Sequence, residues 1–190
     1  MGEVRRYHHG DLRRHLVAAA RAEVEELGAE NVVLTRLAQT CGVSVAAPYR
    51  HFQNKEALLA EVASEAFADL GSALNLAAGT AAPARDRLLD AGVAYVTYAL
   101  AHPNLFRLMF SADMRREVGE EGPASLGVLV ALVRECEPSV PLLSGVRTSW
   151  ALVHGYASLR IGGLGSFQGT TPECIRDDLA VLLDGLLARG

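Results

Sequence analysis

The sequence predicts an all-α protein of about nine helices, with a small N-terminal helical head over residues 1–54 and a larger helical body over residues 55–190. Three observations carry this. Half of the 190 residues are hydrophobic, and alanine and leucine dominate while strand-forming runs are few. Apolar residues recur at three- and four-residue spacing along most of the chain. Glycines, prolines and capping residues interrupt that spacing at intervals that suit helices and short connections.

Each element has its own signal. Over Asp11 to Leu27, apolar side chains fall at Leu12, Leu16, Ala20, Val24 and Leu27, and Gly28 stops the run. Arg13, Arg14 and Arg21 stand off that stripe. A short helix from Leu34 to Cys41 turns Leu34, Leu37 and Ala38 inward. Gly42 then supplies the positive φ of a tight turn. Ser44 is a good N-cap for a third helix, Val45 to Phe52. Pro48 would be its fourth residue, where a proline removes only the bond back to the Ser44 carbonyl. Asn54 caps a long helix, with Lys55 the sole lysine of the chain and Leu59, Val62, Ala66, Phe67 and Leu70 on one face, running to about Ala78.

Residues 79–83, GTAAP, read as a joint. Helices are then expected over 84–101, over a short stretch holding Leu105, Phe106, Met109 and Phe110, over 124–136 and over 142–163. The charged run ADMRREVGEEGP reads as a mobile loop. Thr171 as N-cap and Pro172 at the first helical position open the last helix, which carries Ile175, Leu179, Leu182, Leu183, Leu186 and Leu187.

Two short helices joined by a tight glycine turn make the helix-turn-helix pattern, in which the first helix braces a second that enters the DNA major groove. Ala46 and Ala47 are small enough for close approach to base edges or thymine methyls, and Tyr49, His51 and Lys55 could donate to phosphates. A helix of this kind needs little apolar surface, because its partner is a duplex. The charge distribution agrees. The net charge is −4, but residues 1–55 hold eight Arg and Lys against six Asp and Glu, and the remainder ten against sixteen.

The stretch VLTRLAQTCGVSVAAPYRHFQNKEALLAEV, preceded by GDLRRHLVAAARAEVEELG, resembles the N-terminal DNA-binding domain of TetR-type transcriptional regulators over about 60 residues. HPNLFRLMF and WALVHGYASLRIGG resemble the ligand-binding part of one branch of that family. The resemblance implies an all-helical homodimer with an N-terminal three-helix DNA-binding domain and a C-terminal body holding the dimer surface and a small-molecule pocket. It implies that the effector changes the spacing of the two DNA heads. It puts the recognition helix on Val45, Ala46, Ala47, Tyr49, Arg50 and His51, behind the capping Ser44, and the phosphate contacts on Tyr49 and Lys55. A further contact falls on Thr35 or Arg36, and Val33 stands where the family usually carries a Ser or Thr cap. The N-terminal RRYHHG is either a basic arm or a frayed tail.

In the body, Tyr95, Tyr98, Phe106, Met109, Phe110, Met114 and Trp150 cluster, with His102, His154 and Arg160 as nearby polar groups. Most are expected to be core. Tyr98, Phe106, Phe110, Trp150 and His154 are the expected effector contacts, and an apolar cleft with one or two polar groups suits a lipophilic or aromatic ligand. The last two long helices are the expected dimer surface. A dimer also suits a palindromic operator of double-stranded DNA, since two heads must meet half-sites about 34–36 Å apart.

No catalytic constellation is present. GLGSFQG has Gln168 where a dinucleotide fingerprint needs its third glycine, and there is no phosphate loop, G-x-S-x-G or Cys-x-x-Cys. No cofactor or metal is expected. Cys41, Cys136 and Cys174 are too scattered for a disulfide framework, no run is apolar enough for a membrane span, and no export signal is visible, so a cytoplasmic protein is expected. The reading is therefore a ligand-responsive DNA-binding regulator, a repressor rather than an activator. The alternative is a helical small-molecule-binding protein or enzyme without DNA-binding activity.

Overall fold

The computed structural model describes residues 9–111, 125–136, 141–165 and 171–187. Among them are eight α-helices and no strand: α1 (His9–Leu27), α2 (Leu34–Thr40), α3 (Lys55–Ala78), α4 (Ala84–Ala101), α5 (Pro103–Met109), α6 (Ser125–Cys136), α7 (Leu142–Ile161) and α8 (Pro172–Leu187). Two 3-10 turns, Ala29–Asn31 and Pro48–Arg50, complete the regular structure. The ninth expected helix, over 45–52, is replaced by a bend and the second of these turns. Pro48 has no N–H, so the Ser44 carbonyl is taken one residue early, by the Ala47 amide at 2.9 Å. The tighter winding then persists, with Arg50 N–H bonded to Ala47 C=O at 3.2 Å and His51 N–H to Pro48 C=O at 2.9 Å. Ser44 consequently does not cap a helix: the residue before the 3-10 turn is Ala47, and no side chain caps it.

The chain forms two compact units, residues 1–66 with 104–121, and residues 67–103 with 122–190. In the first, α1 buries Leu12, Leu16, Val17, Ala20 and Val24, four of them on the expected stripe, whereas Leu27 is exposed at the helix end. Leu34, Leu37 and Ala38 of α2, Phe52, and Leu58, Leu59, Val62, Ala63 and Ala66 of α3 are buried. Asn54 caps α3 as expected, its Oδ1 accepting the Ala57 N–H at 2.8 Å. Val33 precedes α2 in extended conformation and offers no side-chain cap.

α5 belongs to this unit from Asn104 onward. Its first residue, Pro103, can begin a helix but not continue α4. Leu105, Phe106, Leu108 and Met109 are buried, and Asn104 Nδ2 donates to the Glu25 carbonyl at the end of α1 at 2.9 Å.

In the second unit α4 is central and packs against α6, α7 and α8. Leu88, Leu89, Tyr95, Val96, Tyr98 and Ala99 of α4 are buried, with Leu132 and Val133 of α6, Tyr156 and Ala157 of α7, and Ile175, Leu179 and Leu183 of α8. Ion pairs border this core: Arg176 reaches Asp86 and Asp90, Arg85 reaches Asp184, and Arg87 reaches Glu135. Thr171 Oγ1 accepts the Cys174 N–H at 3.4 Å, capping α8. The expected stripe of α8 divides, since Leu182 is exposed while Ile175, Leu179 and Leu183 are buried; the side chains of Leu186 and Leu187 lie outside the described residues. So do residues 5–8 of the N-terminal arm, the expected loop over 112–123 with Met114, and Gln168.

Candidate functional site

α2 ends in a Schellman motif that aims everything after it. Val43 N–H bonds to the Ala38 carbonyl at 2.9 Å and Gly42 N–H to the Gln39 carbonyl at 3.0 Å, with Gly42 at φ 68°. The segment that follows is pinned by two apolar anchors, Pro48 and Phe52, both buried. Most of the side chains between and beside the anchors are exposed. Thr35, Arg36, Gln39 and Thr40 of α2, then Ser44, Val45, Ala46, Tyr49 and Arg50, are exposed. Val45 is 53% exposed and Tyr49 55%, although both are large apolar-bodied residues that a free surface would gain from covering. Ala47 and His51 are half-buried on the inner side.

The neighbouring charges are not equally available. The Arg36 guanidinium lies on Glu23, with Nε at 2.8 Å from Oε1 and Nη2 at 3.0 Å from Oε2, and Nη2 also donates to the Asn31 carbonyl at 2.6 Å. Hydrogen bonding to Glu23 also raises the Arg36 pKa above its usual value. Thr35, its neighbour, has no such tie among the described residues. Lys55 Nζ donates to the Glu30 carbonyl at 2.8 Å, which leaves the ammonium two further donors. It also lines a half-open cleft of about 560 Å³ shared with Gly28, Glu30, Glu56, Asn104 and Arg107. That cleft is mixed in charge and has no counterpart in the sequence reading, because its walls come from three segments distant in sequence.

The expected effector residues divide between the two units. Phe106 and Phe110 belong to the first and lie together, ring centroids 4.9 Å apart. Tyr98, Trp150 and His154 belong to the second. There His154 stands at the centre of a polar knot: its Nδ1 is 2.9 Å from Tyr95 Oη, and the Trp150 ring is edge-on at 6.1 Å. Burial lowers the His154 pKa and raises that of the Tyr95 phenol, the latter opposed in part by a hydrogen bond from Trp150. Burial thus favours the neutral imidazole and the neutral phenol, which share one hydrogen bond. Sequence spacing joined Trp150 to His154 across one helical turn but not Tyr95, which reaches them from α4. Among the described residues no group of His, Cys, Asp and Glu could hold a metal ion, and no helix is long and apolar enough to cross a membrane.

The fold and this exposed face define a helical protein with a helix-turn-helix head and a separate helical body. Residues 16–62 match the family model for bacterial regulatory proteins of the tetR family, and residues 88–184 match that for the tetracyclin repressor-like C-terminal domain. Among solved structures, a protein of unknown function from Rhodococcus sp. RHA1 is 32% identical, with a TM-score of 0.78 over 95% of this chain and 98% of that one. A possible TetR family transcriptional regulator from Streptomyces coelicolor A3(2) shares the fold at 20% identity and a TM-score of 0.68, covering 94% of this chain and 100% of that one. So does a candidate transcriptional regulator from Pseudomonas aeruginosa PAO1, at 22% identity and 0.70, covering 97% and 95%. No curated protein gives a significant match. The chain belongs to the TetR family: it is a transcriptional regulator with an N-terminal DNA-binding domain and a C-terminal ligand-binding domain, and its family is not one of enzymes.

Proposed function

We propose that this regulator is a dimeric, cytoplasmic repressor that binds an inverted-repeat operator and is released by a small, largely apolar effector. The observation that carries the DNA reading is the continuous exposed face from Thr35 to Arg50, anchored from beneath by Pro48 and Phe52. Val45 and Ala46 meet base edges, Tyr49, Arg50 and Lys55 meet phosphates, and Ser44 and Thr35 flank them. Thr35 is assigned rather than Arg36 because Glu23 and the Asn31 carbonyl already hold the Arg36 guanidinium. His51 and Ala47, half-buried, shape the segment from inside.

The effector is assigned to the body, against Tyr98, Trp150 and His154, with Tyr95 added as the polar partner of His154. A buried phenol–imidazole pair beside an indole offers one hydrogen-bonding handle in apolar surroundings. Dimerisation is supported by apolar side chains left uncovered on α7 and α8, with Leu143 68% and Val181 72% exposed.

Selection of duplexes from a random pool by the purified protein, at near-physiological salt, tests this. Enrichment of an inverted repeat is expected. No enrichment, both as purified and after refolding from denaturant to strip any ligand, would favour a helical ligand-binding protein without DNA-binding activity.

A further inference from the structure

Arg13 sits on α1, off the apolar stripe, and would ordinarily be dismissed as one half of a surface ion pair of little worth. Its guanidinium is used on every side. Nε and Nη2 form a fork on the Glu61 carboxylate of α3. Nη1, on the other edge, donates to the His51 carbonyl at 2.9 Å. The planar carbon lies 4.5 Å from the Phe52 ring centroid, over its face. One side chain thus ties α1 and α3 to the two residues at which the reading segment ends. That segment needs such support. It is a bend and a single 3-10 turn, too short to be stable alone, and among its described residues Pro48 and Phe52 are the buried ones.

Resting on the DNA-binding role above, we propose that Arg13 is a positioning residue for DNA reading: it fixes the orientation of residues 48–52, and through them the exposed face that enters the duplex, without touching DNA. The chemistry requires arginine. A lysine keeps the charge and could meet the carboxylate, the carbonyl or the ring, but has no planar fork to hold all three.

The test uses the full chain with Arg13→Lys and Arg13→Gln. Amide hydrogen exchange is followed in the free protein, and binding is measured to the duplex enriched by the wild type and to a scrambled duplex of the same composition. In both variants, amides of residues 49–53 should exchange faster while those of 16–24 in α1 stay protected. Affinity for the enriched duplex should fall by roughly 5–30-fold, the factor that one or two kcal/mol of lost ordering produces, while binding to the scrambled duplex by Arg13→Lys stays near that of the wild type. Wild-type exchange and affinity in Arg13→Lys would overturn the proposal and leave Arg13 a charge only. Faster exchange spread through α1 and α3, with both duplexes weakened equally, would overturn it in favour of a purely structural role. If the wild type enriches no duplex, the DNA-binding role falls and this one with it; the exchange pattern then still tells whether Arg13 orders residues 49–53.

Discussion

Replacing Gly42 by alanine should weaken the head by an amount set by one dihedral angle. Gly42 has φ 68°, and a Cβ placed there meets no atom within 4 Å, so crowding contributes nothing. The left-handed conformation costs an L-residue about 1–2 kcal/mol. Alanine's smaller unfolded-state entropy offsets about 0.4–1 kcal/mol of this. The net loss is about 1 kcal/mol, or about fivefold in the unfolding equilibrium of the head. Native-state hydrogen exchange of Val17 and Ala20, buried in α1, reads it directly, since these amides exchange through opening of the head. Gly42→Asn should recover most of the loss, because asparagine tolerates this conformation. Gly163 closes α7 with the same pair of bonds, Gly163 N–H to Arg160 C=O at 3.0 Å and Leu164 N–H to Leu159 C=O at 3.4 Å, at φ 71°. Gly163→Ala is the corresponding change in the second unit, and its effect should appear in the body's amides. Unchanged exchange in Gly42→Ala, or an asparagine variant as weak as the alanine one, would refute the dihedral argument.

Val33→Ser should stabilise the head by about 1 kcal/mol, since a hydroxyl at the exposed N-cap of α2 supplies the acceptor that valine lacks; urea denaturation would show no gain if the first turn is already satisfied. Lys55→Ala should weaken binding to specific and random duplexes alike and reduce the salt slope by about 0.9, the value for one phosphate. Weaker binding with an unchanged slope would mean that Lys55 serves only the Glu30 carbonyl. For His154 the folded-state pKa lies below 6.5, so the native state binds fewer protons than the unfolded state in the window below that value. Stability from this site is complete above pH 6.5, declines as pH falls through 6.5, and levels off once the folded-state pKa is passed. Urea titrations of wild type and His154→Gln from pH 7.5 to 5 should differ in slope in that sense, and parallel curves would contradict the burial argument.

The helices were legible because their signals are local. Apolar spacing in α1, the Asn54 and Thr171 caps and the Gly42 turn each depend on residues within a few positions, and the structure follows them. The reading segment was legible as an outward-facing surface for the same reason: it carries too few apolar side chains to be buried. Its winding was not, because whether a proline at the fourth position is absorbed by an α-turn or tightens it to 3-10 depends on how Pro48 and Phe52 seat in the core. The assignment of Thr35 over Arg36 rests on Glu23, thirteen residues away on another helix. Arg13 stands off the α1 stripe in the sequence, and its partners come from α3 and the end of the reading segment, 48 and 38 residues along the chain. Tyr95 likewise met His154 only through the packing of α4 against α7. The sequence by itself determined the helical class, the Asn54 and Thr171 caps, the Gly42 turn and the outward-facing character of the segment after it, because hydrophobic periodicity and backbone chemistry act over one or two turns. Only the tertiary structure decided which charges are already spent and which remain, because a guanidinium or imidazole takes its partners from whatever distant segment the packed core delivers.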